Sequence, residues 1–317
     1  MKYAYLFNYR EMDQKLFALE CRQLFGVETK DKILITDIDV SSEHSPFMHE
    51  KMTIFASADT PDGLVDAVEQ LQIESDVYKV VFLGKRTNVD YDLQLSLCKR
   101  CGNAIEGDFS LYEPKVLYGI IHHEGIWYFG PAEKMEKRWL KHQNKPHSYT
   151  YSLPVRLARI AVSLAGRNDR TRTLIDPCCG VGTVVLEALH LGYAISGIEM
   201  NPPIAADANR NCAYYGYPEV VQCMDMTLSD AKADCAILDI PYGVMENVDE
   251  TTQKNLLKGC WKMADELVLF SIDPMEKMLK ETGWDVVEQV PFVKQQFVRY
   301  ITLCHRAKCS KTGVKDN

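Results

Sequence analysis

Between residues 153 and 305, short apolar runs alternate with stretches of helical spacing, and this rhythm constrains the chain more than any other feature. The runs are "TLID" (173–176), "AISGIE" (194–199), "EVVQC" (219–223), "CAILDI" (235–240), "ELVLFS" (266–271), "WDVVEQVPF" (284–292) and "FVRYITLCH" (297–305). Strands separated by helices imply a mainly parallel sheet covered on both faces. The last two runs leave no room for a helix between them. They predict a hairpin that places one antiparallel strand in a seven-stranded, Rossmann-like α/β sheet.

The first third reads differently. "YAYLFNY" (3–9), a helix over 11–25 ending at Gly26, "KILITDI" (32–38), "KMTIFASA" (51–58), a helix over 60–72 and "VYKVVFLG" (77–84) form a β-α-β-β-α-β series. That series is the split, ferredoxin-like arrangement of an α+β domain. Thr60 is placed as a helix cap with Pro61 in the first turn. Residues 90–104 look helical, "KVLYGIIHHEGIWYFG" (115–130) reads as a hairpin turning at Glu124-Gly125, and a basic helix is expected near 131–142. The polar "HQNKPHSYT" that follows is the expected boundary, giving domains 1–145 and 146–317.

A chain of 317 residues has room for about two such cores. It has no run of eighteen apolar residues and no charged-then-apolar leader, so it reads as soluble, unsecreted and cytoplasmic, with no membrane partner. Eleven scattered cysteines fit reduced thiols better than a disulfide framework. The net charge of −8 argues against a globally basic surface, yet residues 134–172 hold ten Lys or Arg against two acids. Such a stretch suits phosphates or, equally, a solvated helix face.

"LIDPCCGVGTVVLEALHLG" (174–192) is a strand, a glycine turn and a helix. Gly180 and Gly182 allow close backbone approach, and the helix starting near Thr183 offers unpaired N–H groups. Val185 stands where a dinucleotide fingerprint needs its third glycine. Asp176 would repel a pyrophosphate but suits a ligand with a sulfonium or amino group. Glu199 follows 23 residues later and can accept from both hydroxyls of a ribose. Asp225 in "CMDM" could cap an adenine amine, and Asp239 ends the fourth run. Each acid alone is ordinarily a turn or cap residue. Four at successive strand ends, on the edge where open α/β sheets bind ligands, point to a site.

"DPCCGVGT", "GIEMN", "CMDM" and "DIPYG" resemble the nucleoside- and methionine-binding motifs and the (N/D/S)PP(Y/F) motif of class I S-adenosylmethionine-dependent amino methyltransferases. "SYTYSLPVRLARIAVSLA" (148–165) and "FVRYITLCHR" are similar to segments of the tRNA guanine-N2 methyltransferases, in particular the archaeal and eukaryotic type that acts on guanine at tRNA position ten. The resemblance covers roughly residues 112–306. It implies S-adenosylmethionine held by Asp176, Cys178, Gly180, Gly182, Thr183, Glu199, Met200, Asp225 and Met226, and catalysis by Asp239, Ile240, Pro241 and Tyr242. It also implies RNA, in that family tRNA, as partner, bound in part by a THUMP-like N-terminal region. Residues 85–130 are few for a complete THUMP domain, and Ile240 stands where the family usually has proline.

The chemistry fits such a motif. The lone pair of an exocyclic amine is delocalised into its ring. Two acceptors on its N–H groups, Asp239 and the Ile240 carbonyl, would aim that lone pair at a methyl carbon, while Pro241 stiffens the turn and Tyr242 offers a face for a flipped base. The motif recognises an amine rather than a base, so adenine N6, rRNA or DNA remain alternative targets. A non-catalytic RNA-binding accessory subunit is a third reading, and a partner subunit is compatible with any of them. "NPPI" (201–204) lacks the aromatic and reads as a helix start. Cys98 and Cys101 form a single CxxC, with His122 and His123 downstream, and no metal is expected there.

Overall fold

The computed structural model describes residues 1–29, 31–84, 88–149, 152–241, 249–294 and 297–307. Two compact units emerge: Met1–Tyr9 with Thr29–Lys137, and Arg10–Glu28 with Arg138–Asn317.

The first unit contains β1 (Lys2–Phe7), and the chain then leaves it for α1 (Gln14–Phe25) of the second. It returns with β2 (Ile33–Thr36), β3 (Met48–Ile54), β4 (Ala56–Ala58), α2 (Pro61–Gln70), β5 (Tyr78–Phe82), α3 (Tyr91–Asn103), β6 (Val116–His123) and β7 (Ile126–Lys134). The order of elements is the expected one, but the pairing is not that of a split β-α-β unit. Such a unit sets the strands flanking its helix parallel, whereas β1 and β2 lie side by side and antiparallel. The cause is α1. It packs against helix and strand of the second unit and is part of that unit. The strand order is β2-β1-β3-β7-β6-β5, with β4 also on β7.

Local chemistry explains the turns. Thr60 caps α2 by accepting from the Gly63 N–H at 3.1 Å, with Pro61 at the first helical position. Glu124 and Gly125 both have positive φ, which closes the tight β6–β7 hairpin. The expected strand 51–58 is broken at Phe55, whose N–H bonds to Phe129 O. The expected basic helix is absent. β7 runs on to Lys134, and a 3₁₀ turn spans Arg138–Asn144.

In the second unit α4 (Val155–Gly166) leads into β8 (Thr173–Asp176), α5 (Thr183–His190), β9 (Ala194–Glu199), α6 (Pro202–Tyr214) and β10 (Val221–Cys223). Then come β11 (Ala233–Asp239), α7 (Glu250–Met263), β12 (Ala264–Ser271), α8 (Glu276–Glu281), β13 (Trp284–Lys294) and β14 (Phe297–Arg306). The sheet order is β10-β9-β8-β11-β12-β14-β13, parallel except for β14. This is the seven-stranded α/β sheet expected, with its one antiparallel strand. β11 shows why both faces are covered. Ala236, Leu238 and Ile240 pack with Leu257, Cys260 and Met263 of α7, while Cys235 and Ile237 are buried too. Asn201 caps α6, so "NPPI" is a helix start.

A buried ionic cluster fixes the 3₁₀ turn to this unit. Glu187 of α5 lies 2.5 Å from both His142 Nδ1 and Arg159 Nη1, and all three side chains are inaccessible. Removing one partner of such a cluster strands charge away from water. Glu187→Ala should therefore lower the unfolding free energy by about 3–5 kcal/mol, read as a drop in the urea midpoint at unchanged slope. A change below 1 kcal/mol would show the cluster to be dispensable.

Candidate active site

The chain runs outward from β8 to β9 and β10 on one side, then returns to lay β11 and β12 on the other. The gap between β8 and β11 is thus a topological switch point, where open α/β sheets bind ligands at the strands' carboxyl ends. Asp176 ends β8, Glu199 ends β9, Asp225 lies two residues past β10, and Asp239 ends β11. All four acids stand on one edge of adjacent strands.

Each is held differently. Asp176 is 4% exposed. Burial pushes its carboxyl up to about 8, with smaller upward contributions from the charges of Asp239 and Glu199 and a downward one from the Cys178 N–H. That N–H lies 3.3 Å from Oδ1. Glu199 accepts from the Gly180 N–H at 3.1 Å and the Asn201 N–H at 2.9 Å, tying the glycine turn to β9. The Cys179 N–H bonds to Ile198 O at 2.9 Å and does the same from the backbone. Asp225 is exposed and caps the 3₁₀ turn Met226–Leu228, accepting from the N–H and hydroxyl of Thr227 at 2.8 Å.

The turn itself needs its glycines. Gly180 and Gly182 have φ of +53° and +80°, and at Gly180 an added Cβ would project into open space. Thr183 opens α5 with a buried Oγ1 that has no hydrogen-bond partner. Of the other residues expected here, Met200 is exposed. The Met226 side chain is buried in the core against Cys178, with its Sδ 3.6 Å from Cys178 Sγ. Burial holds the Cys178 thiol far above its ordinary value, so it is no thiolate.

At the end of β11 the Ile240 side chain is buried and its N–H bonds to Phe270 O at 3.1 Å, which fixes the backbone leading to Pro241. Tyr242 lies outside the described residues. A cavity of about 350 Å³ opens beside this point, bounded by Ile240, Ser271, Ile272, Asp273, Pro274 and residues of α7 and α8. Asp239 has a partner that the sequence reading missed: the Arg299 guanidinium donates to its Oδ1. A signal existed, because two-residue alternation puts Arg299 on the same face as the buried Ile301 and Leu303.

The basic stretch is partly consumed inside the unit. Arg159 binds Glu187, Arg167 and Arg172 bind Glu266 at 2.8 and 2.6 Å, Arg156 binds Asp13 at 3.0 Å, and Lys145 is buried. Lys134, Lys137, Arg138, Lys141 and Arg170 are exposed. Among the described residues no group of His, Cys, Asp and Glu is arranged to hold a metal ion, and no helix is long and apolar enough to cross a membrane. The ten described cysteines are free thiols.

Residues 143–271 match the UPF0020 family model, "RMKL-like, methyltransferase domain". The second unit thus contains a segment similar to methyltransferase domains. Similar proteins include the tRNA (guanine(10)-N2)-dimethyltransferases of Methanothermobacter thermautotrophicus and Pyrococcus abyssi. The first is 32% identical over 104 residues (32% of this chain, 30% of the relative). The second is 33% identical over 109 residues (32% of each). The chain thus spans about a third of the length of these two relatives. The structure of TrmN from Thermus thermophilus aligns over 96% of this chain and 100% of its own, with 13% identity and a TM-score of 0.49.

Class I domains take their methyl group from S-adenosylmethionine, and the site's chemistry fits that group. The buried Asp176 and the partly exposed Glu199 suit its sulfonium and amino charges, the open space at Gly180 admits a ligand against the backbone, and Thr183 Oγ1 is an unused buried polar group.

Asp176 also sets a pH dependence. Its folded value of about 8 exceeds the ordinary carboxylate value of 3.8. The folded state therefore binds the proton more tightly, and this favours folding at low pH. The advantage is lost as pH rises towards 8. The thermal midpoint of the unliganded protein should fall, relative to Asp176→Asn, between pH 5 and 8 and level off above. Parallel pH profiles for the two proteins would contradict this protonation.

Proposed function

We propose that this protein transfers a methyl group from S-adenosylmethionine to the exocyclic amine of a base in RNA, with guanine N2 of tRNA as the target. The observation that carries the reading is Asp239. It ends β11 at the switch point, one strand from Asp176, and opens the sequence Asp-Ile-Pro-Tyr. Both archaeal relatives are named for action on guanine 10 of tRNA, which supports guanine as the base and tRNA as the carrier. The exposed lysines and arginines near residues 134–141 are the phosphate contacts in this reading.

In this reading Asp176, Gly180, Gly182, Thr183 and Glu199 hold the cofactor, with Cys178, Met200, Asp225 and Met226 around it. The bound cofactor supplies an electrophilic methyl on a good leaving group. The chain's own task is positioning. Asp239 and the Ile240 carbonyl accept the two N–H groups of the amine, which turns its lone pair toward the methyl carbon. As nitrogen gives up that lone pair its N–H becomes more acidic, and the Asp239 carboxylate receives the proton. The N-terminal unit contributes RNA affinity, and the reaction takes place in the cytoplasm.

Incubation of the full chain with labelled S-adenosylmethionine and bulk small RNA, followed by nucleoside analysis, tests the reading. N2-methylated guanosine is expected. N6-methyladenosine would redirect the target, and no labelled nucleoside would end the reading. Asp239→Asn keeps an acceptor for Arg299 but can turn an NH2 donor toward the substrate amine. Turnover should fall by about a hundredfold or more, at cofactor affinity within about threefold of wild type. Glu199→Ala should show the opposite pattern, weakening S-adenosylmethionine binding by roughly tenfold or more in calorimetry. An Asp239→Asn enzyme at the wild-type rate would remove Asp239 from the chemistry.

A further inference from the structure

β14 pairs with β12 from His305 to Tyr300, opposite Glu266 to Ser271, and Arg299 is the first residue past the end of that ladder. Its remaining strand neighbour is Phe292 of β13. Arg299 thus stands where β12 has already turned away, and its side chain reaches Asp239 Oδ1 on β11, the strand beyond β12. Strands two places apart are separated by about 10 Å, a gap suited to a long side chain meeting a carboxylate.

The burial of the pair is uneven. The Arg299 side chain is 2% exposed and that of Asp239 is 21% exposed. A guanidinium so enclosed is no phosphate contact for RNA. It faces inward, toward Asp239 at the switch point, the one site acid whose side chain meets a cation among the described residues. A carboxylate has about four lone-pair positions, so a donor on Oδ1 leaves acceptor capacity for an amine.

We propose that Arg299 is the positioning residue for Asp239, holding the carboxylate at Oδ1 in the orientation that meets the substrate amine. This rests on the amine-gripping role proposed above. Without the guanidinium, the Asp239 side chain would be repelled by the negative edge formed with Asp176 and Glu199 and would turn toward solvent. The residue acts through Asp239 and touches no reacting atom, so its removal should affect turnover rather than the binding of either ligand.

The test uses the full chain with labelled S-adenosylmethionine and bulk small RNA. The variants are Arg299→Met, Arg299→Lys, Asp239→Asn and the Arg299→Met/Asp239→Asn double variant. Arg299→Met should lower kcat by about a hundredfold while KM for RNA and cofactor Kd stay within about threefold, and Arg299→Lys should recover part of that loss. The double variant should be no more than about threefold slower than Asp239→Asn, because both changes act through one carboxylate. Wild-type kcat in Arg299→Met overturns the proposal, as do losses that multiply in the double variant. A lowered thermal midpoint with unchanged kcat overturns it too, since that is a purely structural role. Where Arg299→Met does not fold, Arg299→Lys decides: a fall of about tenfold in kcat at constant KM supports positioning, and no fall overturns it. If the wild-type enzyme methylates no RNA, the reading of Asp239 fails instead. The positioning proposal, which rests on that reading, then falls with it, whereas methylation by the wild type with unchanged kcat in Arg299→Met overturns the positioning proposal alone.

Discussion

Acids placed at the ends of adjacent parallel strands repel one another, and the whole candidate site depends on how that repulsion is contained. The parallel sheet brings Asp176, Glu199, Asp225 and Asp239 to one edge. Backbone N–H groups answer the first three: Cys178 for Asp176, Gly180 and Asn201 for Glu199, and Thr227 for Asp225. Asp239 is answered by a full positive charge, the Arg299 guanidinium. The division follows from position. The first three acids precede turns whose amides point back at the strand end, as glycine turns and helix starts do. β11 instead runs into Ile240, whose N–H is already committed to Phe270 O, and then into Pro241, which has none.

Much of this was legible along the chain because it is written in local periodicity. The seven strands of the second unit, the hairpin β13–β14, the cap at Thr60 and the turn at Glu124-Gly125 all follow from neighbours in sequence. What was not legible depends on distant partners. α1 has the apolar spacing of any amphipathic helix, and nothing in that spacing says which sheet it covers. The strand order of the first unit departs from the split arrangement for that reason. Arg299 and Asp239 are sixty residues apart, and Arg159 and Glu187 twenty-eight. A basic residue looks the same in sequence whether it faces a phosphate or a buried carboxylate. Arg156, Arg159, Arg167 and Arg172 therefore read as surface when each has an internal acid.

In the proposed reading, the cofactor edge and the amine edge of the site also differ in their tolerance of charge. Asp176 is buried, and near neutral pH its carboxyl is held substantially protonated. A cationic ligand beside it favours the ionised form, so ligand binding and proton release are linked at this residue. Asp239 carries its own cation within the fold and needs no ligand to offset its charge. The two acids can therefore stand one strand apart with opposite requirements. One is completed by what enters the site, and the other is ready before anything enters. This order suits a reaction in which the cofactor's positive charge settles the buried acid first. In the proposed reading, the amine then meets a carboxylate whose orientation is set by the hairpin at the far side of the sheet.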